Sequence, residues 1–352
     1  MDKHTNIKRL HMFMGLQCNV RCAMCYQYDF SSRYNMPPQI YRDKLRDIWP
    51  MVKVVKIQGG EPTIMENCKE LVEIITRHDQ PRITIATNGV VLSSFWKESL
   101  LSHGESVNFS INAATKNTYD QIVKHGNFNR VLKNINRLTS SRDSKVKTPK
   151  IDLSMVVLNN NVFEIDKLVH LARELGVDNV KFLTDNYLSF RKQNLKEQVR
   201  HVLQSACNTA TDAGLSIEGL SSLIRGFGVE LDGKAVSSKL IESSKPKKIC
   251  PMPFRSLVVD ADGSVRPCCN TWIKAGNLNN ETIKDITEGA TLQRFRSKLR
   301  KGDYSWCIPN CPDNPRPSST AMLRKYIYTF REDPHKFIVK VRRKLASAAG
   351  NA

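Results

Sequence analysis

Apolar residues in the first half of the chain follow two alternating rhythms. Runs that are continuously apolar or alternate with period two predict six strands, over residues 10–16, 52–57, 82–86, 107–111, 150–157 and 180–183. Between them, apolar residues at helical spacing predict helices over 39–48, 68–77, 95–101, 118–123 with 128–138, and 162–175. Strands alternating with helices in this way predict parallel βα units. Functional groups in such folds gather where strands end and loops begin. The short motifs fall there: Gly59-Gly60-Glu61-Pro62-Thr63 after the second strand, Thr87-Asn88-Gly89 after the third, and Asn112-Ala113 after the fourth.

The second half is patterned differently. Residues 186–245 carry little signal apart from a helix over 195–213, and 226–248 reads as a basic loop. Residues 255–270 (RSLVVDADGSVRPCCN) predict a β-hairpin, with Asp262-Gly263 as the turn between two apolar-alternating arms. A helical stretch follows to residue 299. From 318 onward the chain reads as a Lys- and Arg-rich helix, with Phe337, Ile338, Val341 and Leu345 on one face and Lys336, Lys340, Arg343 and Lys344 elsewhere around it.

Composition narrows the class. With 352 residues, 40% of them hydrophobic, the chain can bury a large core, and its length suits one large domain and a smaller one. The sequence has no apolar run of about 18 residues to span a membrane and no signal-peptide core in its first twenty residues. A cytoplasmic location follows, where ten cysteines are metal ligands or buried thiols rather than bridges. The net charge of +20 fits nucleic acid, an acidic redox partner or an anionic membrane surface. No basic patch interleaves with aromatics as an RNA-binding surface would, and charge alone does not choose among the three.

The cysteines are grouped. Cys18, Cys22 and Cys25 follow the first apolar run in a C-x3-C-x2-C spacing, and Cys250, Cys268, Cys269, Cys307 and Cys311 lie in the second half. Cys68 and Cys207 stand alone and read as buried structural thiols. Three thiolates on one loop can hold three irons of a [4Fe–4S] cube, leaving the fourth iron for a non-protein ligand. A zinc loop would need a fourth ligand nearby, and disulfides cannot pair an odd trio. The later five suffice for one fully ligated four-iron cluster, or for a zinc knuckle of the same sulfurs.

The cysteine spacing, the GGEPT motif at 59–63 and the strand-end TNG and FSIN together resemble the radical S-adenosylmethionine (SAM) superfamily over about residues 8–185. The resemblance implies an α/β fold, a partial (βα)6 TIM-like barrel, with a small C-terminal β-hairpin and helix domain for an auxiliary cluster. It implies that the open iron is chelated by the amino and carboxylate groups of SAM. Gly59, Gly60 and Glu61 match the motif that receives the SAM amino group, the glycines allowing close backbone approach and the carboxylate pairing with an ammonium. Ser110 and Asn112 match positions that contact the ribose, where relatives often carry Asp in place of Asn112. Met24 stands where an aromatic residue usually lies near the adenine. The second cysteine group resembles the SPASM/twitch auxiliary domains, with Cys250, Cys268, Cys307 and Cys311 as ligands and Cys269 as the alternate for Cys268. The implied organisation is a radical SAM core over 1–215, a linker over 216–249, the auxiliary domain over 250–317 and a basic amphipathic helical tail over 318–352.

The activity implied by the resemblance is reductive cleavage of SAM to a 5′-deoxyadenosyl radical and oxidative modification of a substrate, with no conventional side-chain nucleophile. The cofactors are two [4Fe–4S] clusters, one SAM-binding and one auxiliary, and SAM itself. A flavodoxin- or ferredoxin-type protein would donate the electron. Because the first cluster motif begins at residue 18, leaving no room upstream for a leader-peptide-binding domain, a small molecule is expected: a sugar, cyclitol or carrier-linked metabolite. The alternative within the class is a maturase that cross-links or modifies a ribosomal peptide. The alternative outside it is a metal-stabilised RNA-binding or interaction module, against which the GGEPT motif at a strand end argues. The basic tail is expected either to be a solvated terminal helix or to touch a membrane surface peripherally.

Overall fold

The computed structural model describes residues 7–27, 29–142, 148–184, 195–232, 249–308, 311, 314, 321–332, 338 and 341. Their strands are β1 (Arg9–Phe13), β2 (Arg21–Cys22), β3 (Val54–Gln58), β4 (Arg82–Thr87), β5 (Gly104–Ser110), β6 (Val123–Lys124), β7 (Lys150–Val157), β8 (Asn179–Thr184), β9 (Ser216–Glu218), β10 (Ser256–Val259), β11 (Ser264–Arg266) and β12 (Gly276–Asn277). All but β2 and β6 form one sheet, in the order β12-β11-β10-β1-β3-β4-β5-β7-β8-β9. From β10 to β9 every neighbour is parallel, while β11 is antiparallel to both its neighbours, β10 and β12. The six expected strands are its centre, consecutive in space as in sequence. This is an α/β fold, a TIM-like partial barrel.

Helices return the chain between parallel strands. They are α1 (Glu66–Ile75), α2 (Ser94–His103), α3 (Lys116–Ile122), α4 (Phe128–Thr139), α5 (Ile165–Glu174), α6 (Lys196–Ala213) and α7 (Leu220–Phe227). Local chemistry starts several of them: Ser93, Thr115 and Asn127 accept from backbone amides in the first turns of α2, α3 and α4. The helix expected over 39–48 is broken instead into a π-helical turn, Ile40–Lys44, and a 3-10 turn, Arg46–Met51. Pro50 within the latter lacks the amide that a continuing α-helix needs.

The two faces of the sheet differ sharply. Leu10, Met12, Val55, Ile57, Ile83, Ile85, Val107, Phe109, Ile151, Leu153 and Met155 point outward and are buried in the main hydrophobic core. The alternate positions face the concave lumen and are mostly polar: His11, Lys56, Gln58, Thr84, Asn108, Ser110, Asp152, Ser154 and Lys181. Period two therefore divides each strand into a packing half and a lumen-facing half. Alternation this regular is unlike a closed barrel filled with branched side chains.

Two expected boundaries move. Residues 216–229, expected to open a linker, instead add β9 and α7, and Ile217, Leu220, Leu223 and Val229 are buried. A three-residue strand is too short to show its period in sequence. Residues 233–248, the rest of that linker, lie outside the described residues. The hairpin forms as expected, but its first arm, β10, pairs with β1, so it continues the barrel sheet. Just before it comes α8 (Met252–Arg255), and after it come α9 (Ile283–Glu288), α10 (Ala290–Arg300) and α11 (Ala321–Glu332). In the tail, Ile338 and Val341 are helical, whereas Phe337, Leu345, Lys336, Lys340, Arg343 and Lys344 lie outside the described residues. Among the described residues no helix is long and apolar enough to cross a membrane.

Candidate functional site

The loop that follows β1 runs over the C-terminal ends of the strands and carries the first three cysteines. It is tied down along its length. Arg21 donates to the carbonyls of Cys18 and Val20, both at 2.9 Å, and its guanidinium lies 3.9 Å over the Phe30 ring. Cys22 lies in β2, which pairs with β6, and Ala23 donates to the Ile122 carbonyl at 2.8 Å. A tight turn then closes, with the Cys25 amide 3.0 Å from the Cys22 carbonyl. Gln27 reaches back to the Leu16 carbonyl at 2.8 Å.

The Gly59-Gly60-Glu61 segment docks against the start of the same loop. The Gly60 amide donates to the Gly15 carbonyl at 2.9 Å, and the Glu61 amide to the Gln17 carbonyl at 2.8 Å. A Cβ on Gly60 would stand 2.0 Å from the Gln17 carbonyl oxygen, so a side chain cannot fit there. The glycine is needed for the approach of two backbones within the protein, whereas the sequence suggested room for a ligand. Glu61 is 1% exposed, and both its carboxylate oxygens are engaged by internal donors. Its Oε1 accepts from the Thr63 amide (3.1 Å) and from the hydroxyls of Thr63 and Thr87 (2.7 Å each), and its Oε2 accepts from the Asn88 amide at 2.6 Å. The carboxylate thus clamps the end of β3 to the end of β4. Burial pushes its acidity below that of an exposed glutamate, opposed by these donors.

These segments enclose a cavity of about 210 Å3. Its lining unites Cys18, Cys22 and Cys25 with Gly59, Gly60 and Glu61, and with Ser110 and Asn112 from the end of β5. Asn112 has a left-handed backbone (φ 59°), which asparagine tolerates better than most residues. Its Oδ1 accepts from the Val156 amide at 3.0 Å, pinning β5 to β7. Met24, expected at the adenine, packs against the hydrophobic core and is not part of the lining. The turn that brings Cys22 and Cys25 into the cavity leaves Met24 facing back. The lining also includes Phe13, Tyr26, Gln58 and Asn88, which sequence reasoning did not assign. Asn88 lay within a noted strand-end motif, and Tyr26 directly follows a cysteine. The other two alternate with buried core residues and carry no motif.

The donor chemistry suits an iron–sulfur cluster. Burial pushes the Cys22 thiol up to about 12, helped by the neighbouring Cys25, Cys18 and Glu61 charges, and burial also raises Cys18. Three sulfurs crowded beside a buried carboxylate are poor thiolates on their own. A positively charged iron body among them removes the repulsion, and soft sulfur is its preferred ligand.

The second cysteine group meets in a separate apolar nest. Cys250 and Cys307 are buried with Phe295, Leu299 and Tyr304, and Phe254 and Trp306 pack at the edge. Cys268 is buried, and its thiol is raised by desolvation and by the charges of Cys269, Cys307 and Cys250. Burial pushes Cys307 up to about 12, and its neighbours Cys311 and Cys250 add to this. The Asn270 side-chain amide donates to Cys311 Sγ at 3.4 Å, and Thr271 bridges to Cys307. Cys269 is exposed, within electrostatic range of Lys56 and Arg266. Cys250, Cys268 and Cys307 thus share one environment while Cys269 turns away. Four sulfurs in an apolar nest, one of them receiving an N–H donor, suit a second cluster. The lone thiols Cys68 and Cys207 are fully buried, and among the described residues no disulfide forms.

Comparison with known proteins agrees with this geometry. Residues 12–172 match the radical SAM superfamily, and residues 250–312 match SPASM, an iron–sulfur cluster-binding domain. The chain is 25% identical to the probable GTP 3′,8-cyclase of Thermoplasma volcanium over 296 residues, 81% of this chain and 88% of that protein. It is 25% identical over 174 residues to the probable GTP 3′,8-cyclase of Methanocaldococcus jannaschii, spanning only 56% of that relative's length. Among solved structures, Streptococcus suis SuiB superposes with a TM-score of 0.58 at 16% identity, covering 83% of this chain and 68% of SuiB. The structure of anSMEcpe with bound AdoMet superposes with a TM-score of 0.61 at 18% identity, covering 94% of this chain and 97% of that one. SuiB has also been solved bound to the precursor peptide SuiA, and anSMEcpe with AdoMet and the Cp18Cys peptide. At these identities the structural likeness is one of fold.

Proposed function

Because this chain belongs to the radical SAM superfamily and carries an iron–sulfur cluster-binding SPASM domain, we propose that it cleaves SAM in the thiol-lined cavity and oxidatively modifies a polar small molecule. One observation carries the reading. A single cavity collects the C-x3-C-x2-C loop, the Gly59-Gly60-Glu61 turn and the Ser110–Asn112 strand end, which are far apart in sequence. When bound, the cluster and SAM supply one-electron cleavage of SAM and abstraction of a hydrogen atom from a C–H bond. The protein's part is to bind, orient and exclude water. Cys18, Cys22 and Cys25 ligate three irons and leave the fourth for the amino and carboxylate groups of SAM. Gly59 and Gly60 line the cavity with backbone alone, and Glu61 keeps them in place. Its Oε2, with one internal donor, still has an acceptor position for the SAM ammonium. Ser110 and Asn112 stand at the ribose.

Cys250, Cys268, Cys307 and Cys311 ligate the auxiliary cluster, leaving no open iron, so that its task is to accept an electron. The electron for SAM cleavage comes from a flavodoxin- or ferredoxin-type donor in the cytoplasm, where reducing conditions keep the seven ligand cysteines from forming disulfides. Exposed Leu323, Ile327 and Phe330, at helical spacing beside Arg324 and Arg331, support a peripheral membrane contact through the tail.

The polar lumen favours a small molecule, as do relatives named for acting on GTP. A peptide substrate is the second reading, favoured by fold neighbours solved with peptides. Anaerobic iron analysis and product detection test the proposal. The wild-type chain should hold about eight irons, two cubes of four, and should form 5′-deoxyadenosine after reduction. The triple variant Cys18→Ala/Cys22→Ala/Cys25→Ala should keep about four irons and form none. Continued 5′-deoxyadenosine formation by that variant would show that the radical site lies elsewhere. Stimulation of SAM cleavage by a peptide fraction, and not by small polar metabolites, would favour the second reading.

A further inference from the structure

The lumen of the barrel, below the cavity, is charged in an unequal way. On its concave face nearly every charge already has a partner. Lys181 sits 2.8 Å from Asp152 and 3.5 Å from Glu218. At the rim, Arg266 grips Asp260 with two hydrogen bonds of 2.6 and 2.7 Å, and Arg9 pairs with Glu105 at 2.9 Å. His11, half-buried, is held down to about 3 by desolvation and by the nearby Lys56 charge, so it is neutral and hydrogen-bonds Gln58. Lys56 is the exception. Half-buried in the middle of β3, it makes no hydrogen bond or ion pair with a described residue. Desolvation disfavours its charge, the nearby Cys269 sulfur is the one group that favours it, and its neighbours Lys181 and Arg9 repel it.

A second observation lies across the same face. Asn108 of β5 donates to the Ser154 hydroxyl at 2.9 Å, while its buried Oδ1 accepts from nothing. Lys56 and Asn108 are each two residues before a residue that lines the cavity, Gln58 and Ser110 respectively. In a strand that is one layer deeper on the same face, roughly 7 Å below the cavity lining. A cation without a hydrogen-bond or ion-pair partner among the described residues and an orphan acceptor are both costly to keep out of water. A ligand carrying an anion and a hydrogen-bond donor removes both costs at once.

We propose that Lys56 anchors an anionic group of the substrate, a carboxylate or a phosphate, and that Asn108 accepts a hydrogen bond from a hydroxyl or amino group of the same molecule. The proposal rests on the reading above, that the overlying cavity is the reaction site. It narrows the substrate to a compact anionic metabolite whose charged end points down the barrel while its reacting end faces the cavity. Lys56 is then a specificity-determining residue.

The test is calorimetric titration of the anaerobic, cluster-loaded protein, saturated with SAM, using inorganic phosphate and separately glutarate. At least one of the two should bind at a single site, and which one does separates the phosphate from the carboxylate case. Lys56→Met should weaken that binding at least tenfold, and Lys56→Arg, which keeps the charge but is a poor base, should stay within about threefold. The exposed-surface variant Lys133→Met should match the wild type, which controls for the general positive charge. Absence of single-site binding by both probes overturns the anchor, as does equal binding in Lys56→Met. Loss in Lys56→Arg equal to that in Lys56→Met also counts against it, since an anchor needs only the charge. Wild-type protein that binds the probe but never cleaves SAM would leave the anchor standing and defeat the functional reading instead.

Discussion

Glu61 shows how a residue at the centre of a motif can have its strongest bonds inside the protein. Four internal donors surround a carboxylate that is out of water. Glutamine has the same shape but replaces one acceptor oxygen by an NH2 group. If its oxygen keeps the two threonines, the NH2 faces the Asn88 amide, donor against donor. If it is turned round, the NH2 faces three donors. Leaving a buried donor unsatisfied costs about 1–3 kcal/mol. Glu61→Gln is therefore expected to lower the stability of the cluster-free protein by about that amount, read as a shifted urea midpoint. An unchanged midpoint would mean that the carboxylate does not hold the ends of β3 and β4 together. Weaker SAM binding by this variant is expected as well, since the turn that lines the cavity loses its clamp. The motif was plain in the sequence. That its acid already accepts from four internal donors was not, because Thr87 and Asn88 lie 26 and 27 positions away.

Among the elements, the segment between α10 and Cys307 is held by a small electrostatic knot. Asp303 pairs with Lys298 at the end of α10 and accepts from the Ser305 amide at 2.9 Å, just before the ligand-bearing turn. The Lys298 hydrogen bond, with help from Ser305, holds the Asp303 carboxyl down to about 2. For an acid depressed in the folded state, the stabilisation is complete above its unfolded value near 4. It is lost as pH falls from there through about 2. The pair is partly exposed, so solvent screening limits its worth to about 0.2–1 kcal/mol. Asp303→Asn is expected to remove this increment at neutral pH, and the difference from the wild type should shrink as pH drops below 4. Denaturant melts at pH 7 and pH 3 check it. A difference that grows in acid would overturn the assignment. The helices around the barrel followed their apolar spacing, and the hairpin its Asp262-Gly263 turn. The segment 39–48 did not: it splits into a π-helical turn and a 3-10 turn that runs on through Pro50, and β9 carried too few residues to show a period.

At the scale of the molecule, the net charge of +20 favours encounter with an acidic electron donor. Reduction by a flavodoxin-type protein is expected to slow several-fold between about 0.05 and 0.5 M salt, because screening shortens the reach of exposed charges. Reduction by a small chemical reductant should change much less. Rates equally insensitive to salt for both would remove the charge from the account of donor recognition. The sequence by itself determined the class of chemistry and the order of the sheet. Cysteine spacing and the glycine-glycine-glutamate turn are local, and consecutive βα units leave a parallel sheet little choice of neighbours. Tertiary structure alone decided which side chains share a space. It joined β10 to β1, separated Cys269 from Cys268, turned Met24 away from the cavity and left Lys56 in the lumen while pairing Lys181 with Asp152. Contacts of this kind depend on strand register and on residues distant in the chain, and no short window of sequence contains both partners.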